Sequence, residues 1–356
     1  MRRAYRGETS RNRTLILGCI AAAIAVAVAI VLVLEPGREQ SGNLAHVTFA
    51  TDWKAQAEHG GFYQALALGY YEEAGLDVEI LQGGPGVNVP QLLGAHSVEF
   101  GLGSNSFIPL NIAAADAGAK AVMASFQKDP QVFITHPRDD VKSLADMKGK
   151  PIMVSDATVS AFWQWLKSKY GFEDTQIRKY TFNLAPFLTD ETAIQQGYLS
   201  SEPQMIRQQG IEPQVFLLSD YGYPGYAAFI LASDRMIAER PEVVQAFVDA
   251  SIRGWVSYIY GDPTPANELI KRDNPEMTDE VIANAIRLMK ENGIVDSGEA
   301  LEFGVGAMTN ERWQAFYDEM VEAGVYESDI SVHSAYTLEF VNQGVGLDLK
   351  KELTGE

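Results

Sequence analysis

Polar and aromatic residues that could bind a ligand lie directly after five predicted β-strands. These positions are Asp52-Trp53, Gly83-Gly84-Pro85-Gly86, Gly103-Ser104-Asn105-Ser106, Ser155-Asp156-Ala157-Thr158 and Asn183. Their side chains offer hydrogen bonds and one aromatic wall for a flat ring. Open α/β sheets bind ligands at the carboxyl ends of their strands. The sequence therefore predicts that the five strand ends converge on one crevice.

Each of these positions also has an explanation that involves no ligand. The run Gly83–Gly86 is typical of a tight turn, and Asp156 or Thr158 is typical of a helix N-cap. Trp53 could be a core residue, as tryptophans usually are. Its place after Asp52 at a strand end favours a position on a cleft wall.

Two further tryptophans, Trp163 and Trp165, lie two positions apart on one predicted helix and therefore face different sides. Trp165 aligns with Phe162 and Leu166, which predicts a core position. Trp163 is retained as a candidate for the site.

The sequence lacks the motifs of hydrolytic, metal and phosphate chemistry. The patterns G-x-S-x-G, H-E-x-x-H and G-K-[ST] are absent, and Gly149-Lys150 is followed by Pro151. The histidines are not at metal-ligand spacing from one another. They are His46, His59, His96, His136 and His333. We therefore expect a protein that is not an enzyme, with no catalytic residue, no metal and no cofactor.

Composition and charge limit the possible partners. The 356 residues are 46% hydrophobic and 21% charged, which is typical of a globular chain with two lobes or domains. The formal net charge is −19. Residues 1–14 contain five Arg and one Glu, a charge of +4, which leaves −23 for the rest. Such a surface repels phosphate backbones, so we expect no nucleic-acid partner.

The start of the chain has the pattern of a membrane segment. Five arginines precede an uncharged apolar run over residues 15–34. Twenty helical residues span about 30 Å, the thickness of a bilayer core. The length of the run and its Glu35-Pro36 exit favour a retained anchor over a cleaved signal. Cys19, the single cysteine, reads as a small residue within this helix.

The arginines predict the orientation of this segment in the membrane. Residues 1–14 would be a cytoplasmic basic segment and 15–34 a transmembrane anchor or uncleaved signal. A polar linker would follow over residues 35–45. The rest of the chain would then lie outside the cytoplasmic membrane, in the periplasm or on its outer face.

Short predicted strands alternate with helical segments along the rest of the chain, which favours an α/β fold with largely parallel sheets. The strand candidates are residues 46–51, 76–81, 99–102, 119–126, 132–135, 151–154, 177–182, 215–218 and 226–232. The region from Pro241 onward is mostly helical.

Several longer motifs resemble one family. They are Asp52-Trp53, His59, the run GYYEEAGLDV over 69–78, Val98–Gly101, Leu144–Lys150 and Gly197–Pro203. Together they resemble the nitrate/sulfonate/taurine and thiamine-pyrimidine-precursor family of substrate-binding proteins. The opening is similar to the formylaminopyrimidine branch, D-W-x-P-N-x-x-H, with Ala55 and Gln56 in place of Pro and Asn. The run Gly83–Asn88 is similar to the riboflavin-binding branch.

The resemblance implies an α/β, two-lobed fold of periplasmic-binding-protein type II. Lobe 1 would comprise 46–137 and 233–342, lobe 2 would comprise 138–232, and 343–356 would be a tail. It implies the substrate-binding component of an ABC importer. Such a component captures a small heterocycle, such as a thiamine pyrimidine precursor, and delivers it to a permease served by a separate ATPase subunit.

The resemblance also extends the set of candidate ligand residues. That set is Asp52, Trp53, His59, Gly83, Gly84, Pro85, Ser104, Asn105, Ser155, Asp156, Thr158, Trp163, Asn183, Tyr198 and Glu202. Within it, Trp53 would stack on a ring and Glu202 would pair with an amine or ring N–H.

Three alternatives remain open. The ligand could be riboflavin, or a sulfonate or nitrate. A thiamine pyrimidine synthase of the same fold is the second alternative. Its Lys and His after the third strand correspond to Gly103 and Phe107 here, and its Cys-rich segment is missing. A membrane-tethered sensor is the third, although only 14 residues precede the apolar run.

Overall fold

Residues 44–84 and 86–355 are described by a computed structural model. The expected basic segment 1–14, the anchor 15–34, most of the linker 35–45, and Pro85 lie outside the described residues. Within the described ranges, no helix combines the length and apolar character needed to cross a membrane.

Within residues 44–84 and 86–355, ten strands form two five-stranded mixed sheets. In chain order the strands are β1 (Ala45–Ala50), β2 (Leu76–Leu81), β3 (Phe100–Asn105), β4 (Ala119–Phe126), β5 (Gln131–Thr135), β6 (Ile152–Val154), β7 (Ile177–Lys179), β8 (Ile194–Tyr198), β9 (Gln214–Leu217) and β10 (Ala227–Ser233). The first sheet has the order β2-β1-β3-β10-β4 and the second has the order β7-β6-β8-β5-β9. Each sheet defines one lobe.

Both sheets contain parallel and antiparallel pairs. In lobe 1, β1 runs parallel to β2 and β3, and β10 runs antiparallel to β3 and β4. In lobe 2, β6 runs parallel to β7 and β8, whereas β5 is antiparallel to β8 and β9. The α/β, two-lobed architecture agrees with the sequence analysis. The antiparallel pairs were not foreseen, and they arise where the chain passes from one lobe to the other.

The crossing points differ from those inferred from the sequence. Strand β5 pairs with β8 and β9 in the second sheet, so the first crossing lies at residues 127–130 and not at the expected boundary between residues 137 and 138. Strand β10 belongs to the first sheet, so the second crossing ends before Ala227. The polar pair Asp139-Asp140 looks like a linker in sequence but forms a turn inside lobe 2. The true crossing is a short segment ending in Asp129-Pro130.

Helices cover the outer faces of the sheets and build most of lobe 1 after β10. They are α1 (Gly60–Ala67), α2 (Tyr70–Glu73), α3 (Val89–Gly94), α4 (Phe107–Ala114), α5 (Asp156–Val159), α6 (Phe162–Tyr170), α7 (Ala185–Thr189), α8 (Glu202–Arg207), α9 (Asp234–Glu239), α10 (Pro241–Tyr260), α11 (Thr264–Asp273), α12 (Asp279–Glu291), α13 (Ala300–Phe303), α14 (Asn310–Glu322) and α15 (Leu347–Thr354). Threonine side chains cap α12 and α14.

The expected tail 343–356 contains a docked helix instead. Gly346, at φ 82°, precedes α15 and lies against Ile252 and Val256 of α10. Lys350 on α15 forms an ion pair of 2.7 Å with Asp296, whose side chain is 4% exposed. The C-terminal segment is therefore part of lobe 1.

Glycines allow α1 and α10 to cross at very short distance. A Cβ on Gly254 would lie 2.1 Å from the backbone oxygen of Gly61, and a Cβ on Gly61 would lie 2.2 Å from the Trp255 ring. Real Cβ atoms do not make such contacts, so only glycine fits at these positions. This crossing holds α1, and the polar turn before it, against the lobe 1 core.

Gly254→Leu is therefore expected to destabilise the protein by about 3 kcal/mol or more, at the upper end of overpacking effects. Urea unfolding of the purified protein measures the loss. Gly94→Leu is the matched control, because an added Cβ at Gly94 meets no atom within 4 Å. We expect that control to stay within about 0.5 kcal/mol of the wild type. Equal stability for the two variants would contradict the tight crossing.

Candidate functional site

The lobe 1 side of the cleft is organised around Asp52. It follows β1, and Ser104 at the end of β3 donates a hydrogen bond of 2.5 Å to its Oδ2. Nε2 of His59 lies 3.4 Å from the other carboxylate oxygen. His59 is 2% exposed, and its Nδ1 has no partner among the described residues. Three of the predicted site residues therefore converge at the ends of neighbouring strands.

Trp53 lies at the mouth of the cleft. The residue is half-buried, and its ring centroid is 5.4 Å from that of Phe182 in lobe 2, at an interplanar angle of 47°. Phe182 is 54% exposed and has a φ of 60°, an unusual backbone conformation for a bulky residue. Tyr180 packs behind Phe182 at 5.2 Å. The two lobes thus present an aromatic pair from opposite sides.

A second contact between the lobes lies deeper, at Glu58. This residue is 5% exposed, and the Ser200 hydroxyl, just after β8, donates a short hydrogen bond to its Oε1. Burial raises the pKa of the Glu58 carboxyl, and the hydrogen bond from Ser200 opposes that effect. A buried carboxyl therefore joins lobe 1 to lobe 2, in addition to the aromatic pair.

Glu202 is the corresponding acid of lobe 2. Its carboxylate accepts the backbone N–H of Tyr198 at 2.8 Å and the Tyr180 hydroxyl at 3.1 Å. Burial raises the pKa of the Glu202 carboxyl, and these hydrogen bonds lower it. The carboxylate at the start of α8 is thus fixed beside the carboxyl end of β8, and its contact with a ligand stays a prediction.

Four acidic side chains act electrostatically on the phenol of Tyr198. Burial raises the pKa of this phenol well above its usual value, and the charges of Asp129, Asp52, Glu58 and Glu202 add to the effect. These carboxylates come from both lobes and from the first crossing. The charged groups with the largest effects on the pKa values of Tyr198, Glu58 and Glu202 are carboxylates, together with His59 acting on Glu58. The centre of the cleft is thus an acidic, hydrogen-bond-accepting environment.

The glycine turn after β2 supports this site from behind. The Gly83 N–H donates to the Trp53 carbonyl at 3.0 Å, and a Cβ on Gly83 would lie 2.3 Å from the carbonyl oxygen of Thr51. Only glycine can approach the backbone before Trp53 so closely. Gly84 has open space at its Cβ position, and Pro85 lies outside the described residues. Gly83 therefore positions Trp53.

The residues after β6 form a helix cap. Ser155 caps α5, and its hydroxyl lies 3.0 Å from that of Thr158. The Ser155 N–H and the Thr158 hydroxyl both donate to Oε1 of Gln196, at 2.6 and 2.7 Å. Asp156 points outward to an ion pair with Lys179 at 2.7 Å. The N-cap is therefore Ser155 and not Asp156 or Thr158 as expected, and contact of these three residues with a ligand stays a prediction.

Two asparagines of the predicted site also make local backbone contacts. The Asn105 side-chain oxygen accepts the Phe107 N–H at 3.1 Å, and that of Asn183 accepts the Ala185 N–H at 2.9 Å. Asn183 is exposed. Both residues shape the tips of the lobes, and contact of either with a ligand stays a prediction.

Trp163 requires a correction. It is fully buried in lobe 2, packs against Phe172 at 5.5 Å and donates its indole N–H to Asp174 at 3.1 Å. It therefore belongs to the lobe 2 core and not to a cleft wall. Trp165 is also buried, as expected, and its indole N–H reaches Glu319 on α14 of lobe 1 at 2.6 Å.

Five cleft residues were not recognised in the sequence. They are Glu58, Asp129, Tyr180, Phe182 and Ser200. Some of them had a usable signal: Glu58 adjoins His59, and Ser200 lies in the same motif as Tyr198 and Glu202. Asp129 gave no such signal, because it lies in the crossing that the sequence did not locate.

A family model described as NMT1/THI5 like matches residues 56–266, more than half of the chain. The chain belongs to the NMT1/THI5-like family. This confirms the family expected from the sequence motifs. The matched range includes Glu58, His59, Ser104, Tyr198 and Glu202, and it ends in α11.

Relatives within the family carry different names. The riboflavin-binding protein RibY of Chloroflexus aurantiacus is 26% identical over 325 residues, which cover 87% of this chain and 90% of that protein. The formylaminopyrimidine-binding protein of Halalkalibacterium halodurans is 26% identical, over 60% and 66% of the two chains. The 4-amino-5-hydroxymethyl-2-methylpyrimidine phosphate synthase of Schizosaccharomyces pombe is 25% identical, over 57% and 63%.

The fold is also that of a solved binding protein. The periplasmic aliphatic sulphonate binding protein SsuA from Escherichia coli superposes with a TM-score of 0.63 at 14% identity, over 82% of this chain and 91% of that one. At this identity the likeness concerns the fold alone. It identifies the two sheets as the lobes of a periplasmic-binding-protein fold.

Proposed function

We propose that this chain is the substrate-binding component of an ABC importer and that it captures a small, flat heterocycle bearing N–H or amine donors. The acidic centre around Tyr198, enclosed by both lobes beneath Trp53 and Phe182, carries the proposal. The cleft would then close on the ligand, and the closed form would dock on a permease driven by a separate ATPase subunit.

The charge of the cleft supports a ligand that donates hydrogen bonds. Ionised carboxylates are acceptors only, and Asp52, Glu58 and Glu202 all act on the Tyr198 phenol, with His59 as the basic group beside Asp52. A sulfonate or nitrate would be repelled by such a site. A thiamine pyrimidine precursor or a similar ring, with an amine or ring N–H, would replace that repulsion with charge-assisted hydrogen bonds.

The aromatic pair supports a flat ring. The ring centroids of Trp53 and Phe182 are 5.4 Å apart. A flat ring stacked on either side chain would extend this aromatic surface. Aromatic pairs contribute roughly 0.5–1.5 kcal/mol beyond area burial. In this proposal Trp53 stacks on the ligand, and Asp52, Ser104 and Glu202 supply hydrogen bonds. Asn105 and Asn183 would add contacts at the rims.

Closure of the two lobes would follow from shared contacts. A ligand shifts an equilibrium only by its differential affinity for the two states. A ligand could contact Asp52 on lobe 1 and Glu202 on lobe 2 at the same time only when the two lobes are close together. The hydrogen bond from Ser200 to Glu58 already joins the facing surfaces of the two lobes.

The named relatives support a heterocycle but differ on the reaction. RibY and the formylaminopyrimidine-binding protein are binding proteins by name, whereas the fungal relative is named a synthase. The synthase alternative predicts retention of iron and pyridoxal phosphate by the purified chain. The residues here at the expected Lys and His positions are Gly103 and Phe107. Gly103 has no side chain, and Phe107 is buried against Phe316.

Ligand identification tests the proposal. The full chain, purified in detergent, is denatured, and its released small molecules are analysed by mass spectrometry. The purified chain is then titrated calorimetrically with riboflavin, with 4-amino-5-hydroxymethyl-2-methylpyrimidine and with an alkanesulfonate. We expect a heterocycle in the released fraction and heat of binding with at least one ring compound. Binding of the sulfonate alone would contradict the proposal.

Location is tested separately. We propose that the binding lobes lie outside the cytoplasmic membrane, anchored by residues 15–34. Fractionation should then find the chain in the membrane fraction, and a protease added to spheroplasts should remove the lobes. Protection of the lobes from that protease would contradict the import function.

A further inference from the structure

We infer that Asp129, on the first crossing between the lobes, is a ligand-contacting residue and that its free carboxylate oxygen accepts a hydrogen bond from the innermost donor group of the ligand. This inference rests on the proposed function and narrows it. The ligand must carry a second donor, an N–H, amine or hydroxyl, at the end that points toward the hinge.

The first observation is a buried oxygen without a partner. Asp129 is 1% exposed. Its Oδ1 accepts the backbone N–H of Gln131 at 3.1 Å, while its Oδ2 has no partner among the described residues. Buried polar groups in native proteins are almost always hydrogen-bonded, so an exception calls for an explanation.

The second observation places Asp129 next to the end of β8, because Asp129 accepts the N–H of Gln131 and Gln131 pairs with Tyr198 between β5 and β8. Its charge is the largest electrostatic contribution to the raised pKa of both Tyr198 and Tyr223, yet neither phenol donates a hydrogen bond to it. The same Tyr198 phenol is affected by Asp52 and Glu58 of lobe 1. Asp129 therefore lies on the hinge side of the acidic centre to which both lobes contribute.

The third observation is that a second polar group in the same place is also free. The Tyr223 hydroxyl is buried, and no described residue is its partner. The unpaired carboxylate oxygen of Asp129 is an acceptor, and the unpaired phenol of Tyr223, on which the charge of Asp129 acts, is a donor. A ligand group such as an amide, an aminopyrimidine edge or a hydroxyl could engage both.

The fold alone does not require a carboxylate at this position. The turn needs one oxygen to accept the Gln131 N–H, and asparagine supplies that oxygen equally well. An amide at residue 129 could also donate to the Tyr198 or Tyr223 oxygen. The carboxylate thus lowers the stability of the fold and makes no structural contact that asparagine could not make. Residues that lower stability in this way are typical of binding sites.

The protonation of Asp129 predicts how stability and ligand affinity change with pH. Burial raises the pKa of its carboxyl from 3.8 to about 7, opposed by the Gln131 N–H. A folded-state pKa above the unfolded value means that stability falls as pH rises between about 4 and 7. A ligand donor favours the ionised form, so binding releases a proton and affinity should rise through pH 7. The groups facing the carboxyl are Tyr198 of β8 and Tyr223 of the second crossing, and both phenols stay neutral over this range.

The experiment compares the full-length wild type with Asp129→Asn and with the control Asp190→Asn. Asp190 is an exposed lobe 2 residue whose side chain accepts only from Thr192. Each protein is titrated with riboflavin and with 4-amino-5-hydroxymethyl-2-methylpyrimidine at pH 6, 7 and 8, and is also melted without a ligand. We expect Asp129→Asn to lose at least tenfold in affinity and to lose the rise with pH. Its ligand-free Tm should equal or exceed that of the wild type, with the difference growing toward pH 8.

Two results would overturn the inference. One is unchanged affinity and an unchanged pH profile in Asp129→Asn. The other is a ligand-free Tm clearly below that of the wild type, which would make Asp129 a structural residue. The melting comparison needs no ligand, so it tests the inference even if the wild type binds neither compound. If the wild type binds neither compound and Asp129→Asn has a raised Tm, the result would count against the proposed ligand class and not against the role of Asp129.

Discussion

Replacing Trp53 with alanine should remove most of the ligand affinity and leave the ligand-free protein close to its original stability. The side chain is half-buried and its aromatic neighbour, Phe182, belongs to the other lobe. Lost stacking and lost apolar burial on the ligand together amount to about 2–3 kcal/mol, or roughly 30- to 150-fold in affinity. The apo protein loses one exposed aromatic contact, which costs about 1 kcal/mol.

Trp163→Ala is the matched control for this prediction. Trp163 has the same side chain but lies fully buried in the lobe 2 core. Its truncation should cost about 3–5 kcal/mol of stability, as large core aromatics do. Affinity measured on the fraction that remains folded should not change. Trp53→Ala should therefore lower affinity with little effect on stability, whereas Trp163→Ala should lower stability and leave affinity unchanged.

Calorimetric titration and thermal melting of both variants test the pair of expectations. A large drop in apo stability of Trp53→Ala, with unchanged affinity, would place Trp53 in the core and remove the aromatic wall from the site. Loss of binding by a normally melting protein would instead support a flat ring against Trp53. A small anion would gain little from that surface.

Local sequence patterns predict most of the individual elements. Nine of the strands begin within one residue of their expected positions, and of these only β3 and β7 end three residues away from the expected end. The exception is β8, whose sequence Ile-Gln-Gln-Gly-Tyr has neither alternation nor β-branched content beyond its first residue. Its neighbours β6 and β5 on either side stabilise it as a central strand. Tertiary pairing thus overrides a weak local propensity.

The lobe 1 half of the site was predictable for a similar reason. Asp52, Ser104 and the glycine turn all follow parallel strands, and strand ends at one edge of a sheet must be close together. The resemblance to a known family supplied His59 and Glu202. Both kinds of signal are local in sequence and do not depend on how the lobes are arranged.

The contacts between the lobes could not be predicted in this way. Glu58 and Ser200 are 142 residues apart in sequence, and nothing in either segment identifies the other as its partner. Phe182 was expected to be the last residue of a strand over 177–182, but the strand ends at Lys179 and the Phe182 side chain is 54% exposed. Residues at such an interface are fixed by the packing of whole lobes, which no local pattern encodes.

The same limit applies to the hinge, where one side chain joins both crossings. Arg312 on α14 donates to the Gln127 carbonyl in the first crossing and to the Pro224 and Gly225 carbonyls in the second. Its guanidinium pairs with Glu299 at 3.0 Å. The sequence shows only an arginine in an amphipathic helix, and none of these partners is near it in the chain.

We expect Arg312→Met to lower the free energy of unfolding by about 2–4 kcal/mol. The change removes the ion pair with Glu299 and the hydrogen bonds to three backbone carbonyl groups. Charge-assisted hydrogen bonds are stronger than hydrogen bonds between neutral groups. The Arg312 side chain is 20% exposed and that of Glu299 is 23% exposed, so the loss should fall below that of a fully buried pair. Arg287→Met is the control, because its pair with Glu291 is half exposed and should contribute less than about 0.5 kcal/mol.

A role in positioning the lobes predicts more than lost stability. Arg312 fixes both connecting segments to one helix, so its loss should broaden the range of lobe orientations in the ligand-free protein. Small-angle scattering should then show a larger radius for ligand-free Arg312→Met than for the wild type, and a saturating ligand should restore the wild-type value. Because closure would start from a wider ensemble, affinity should also fall severalfold. A variant with lowered stability but with the wild-type radius and wild-type affinity would show that Arg312 only stabilises lobe 1 and does not control the hinge.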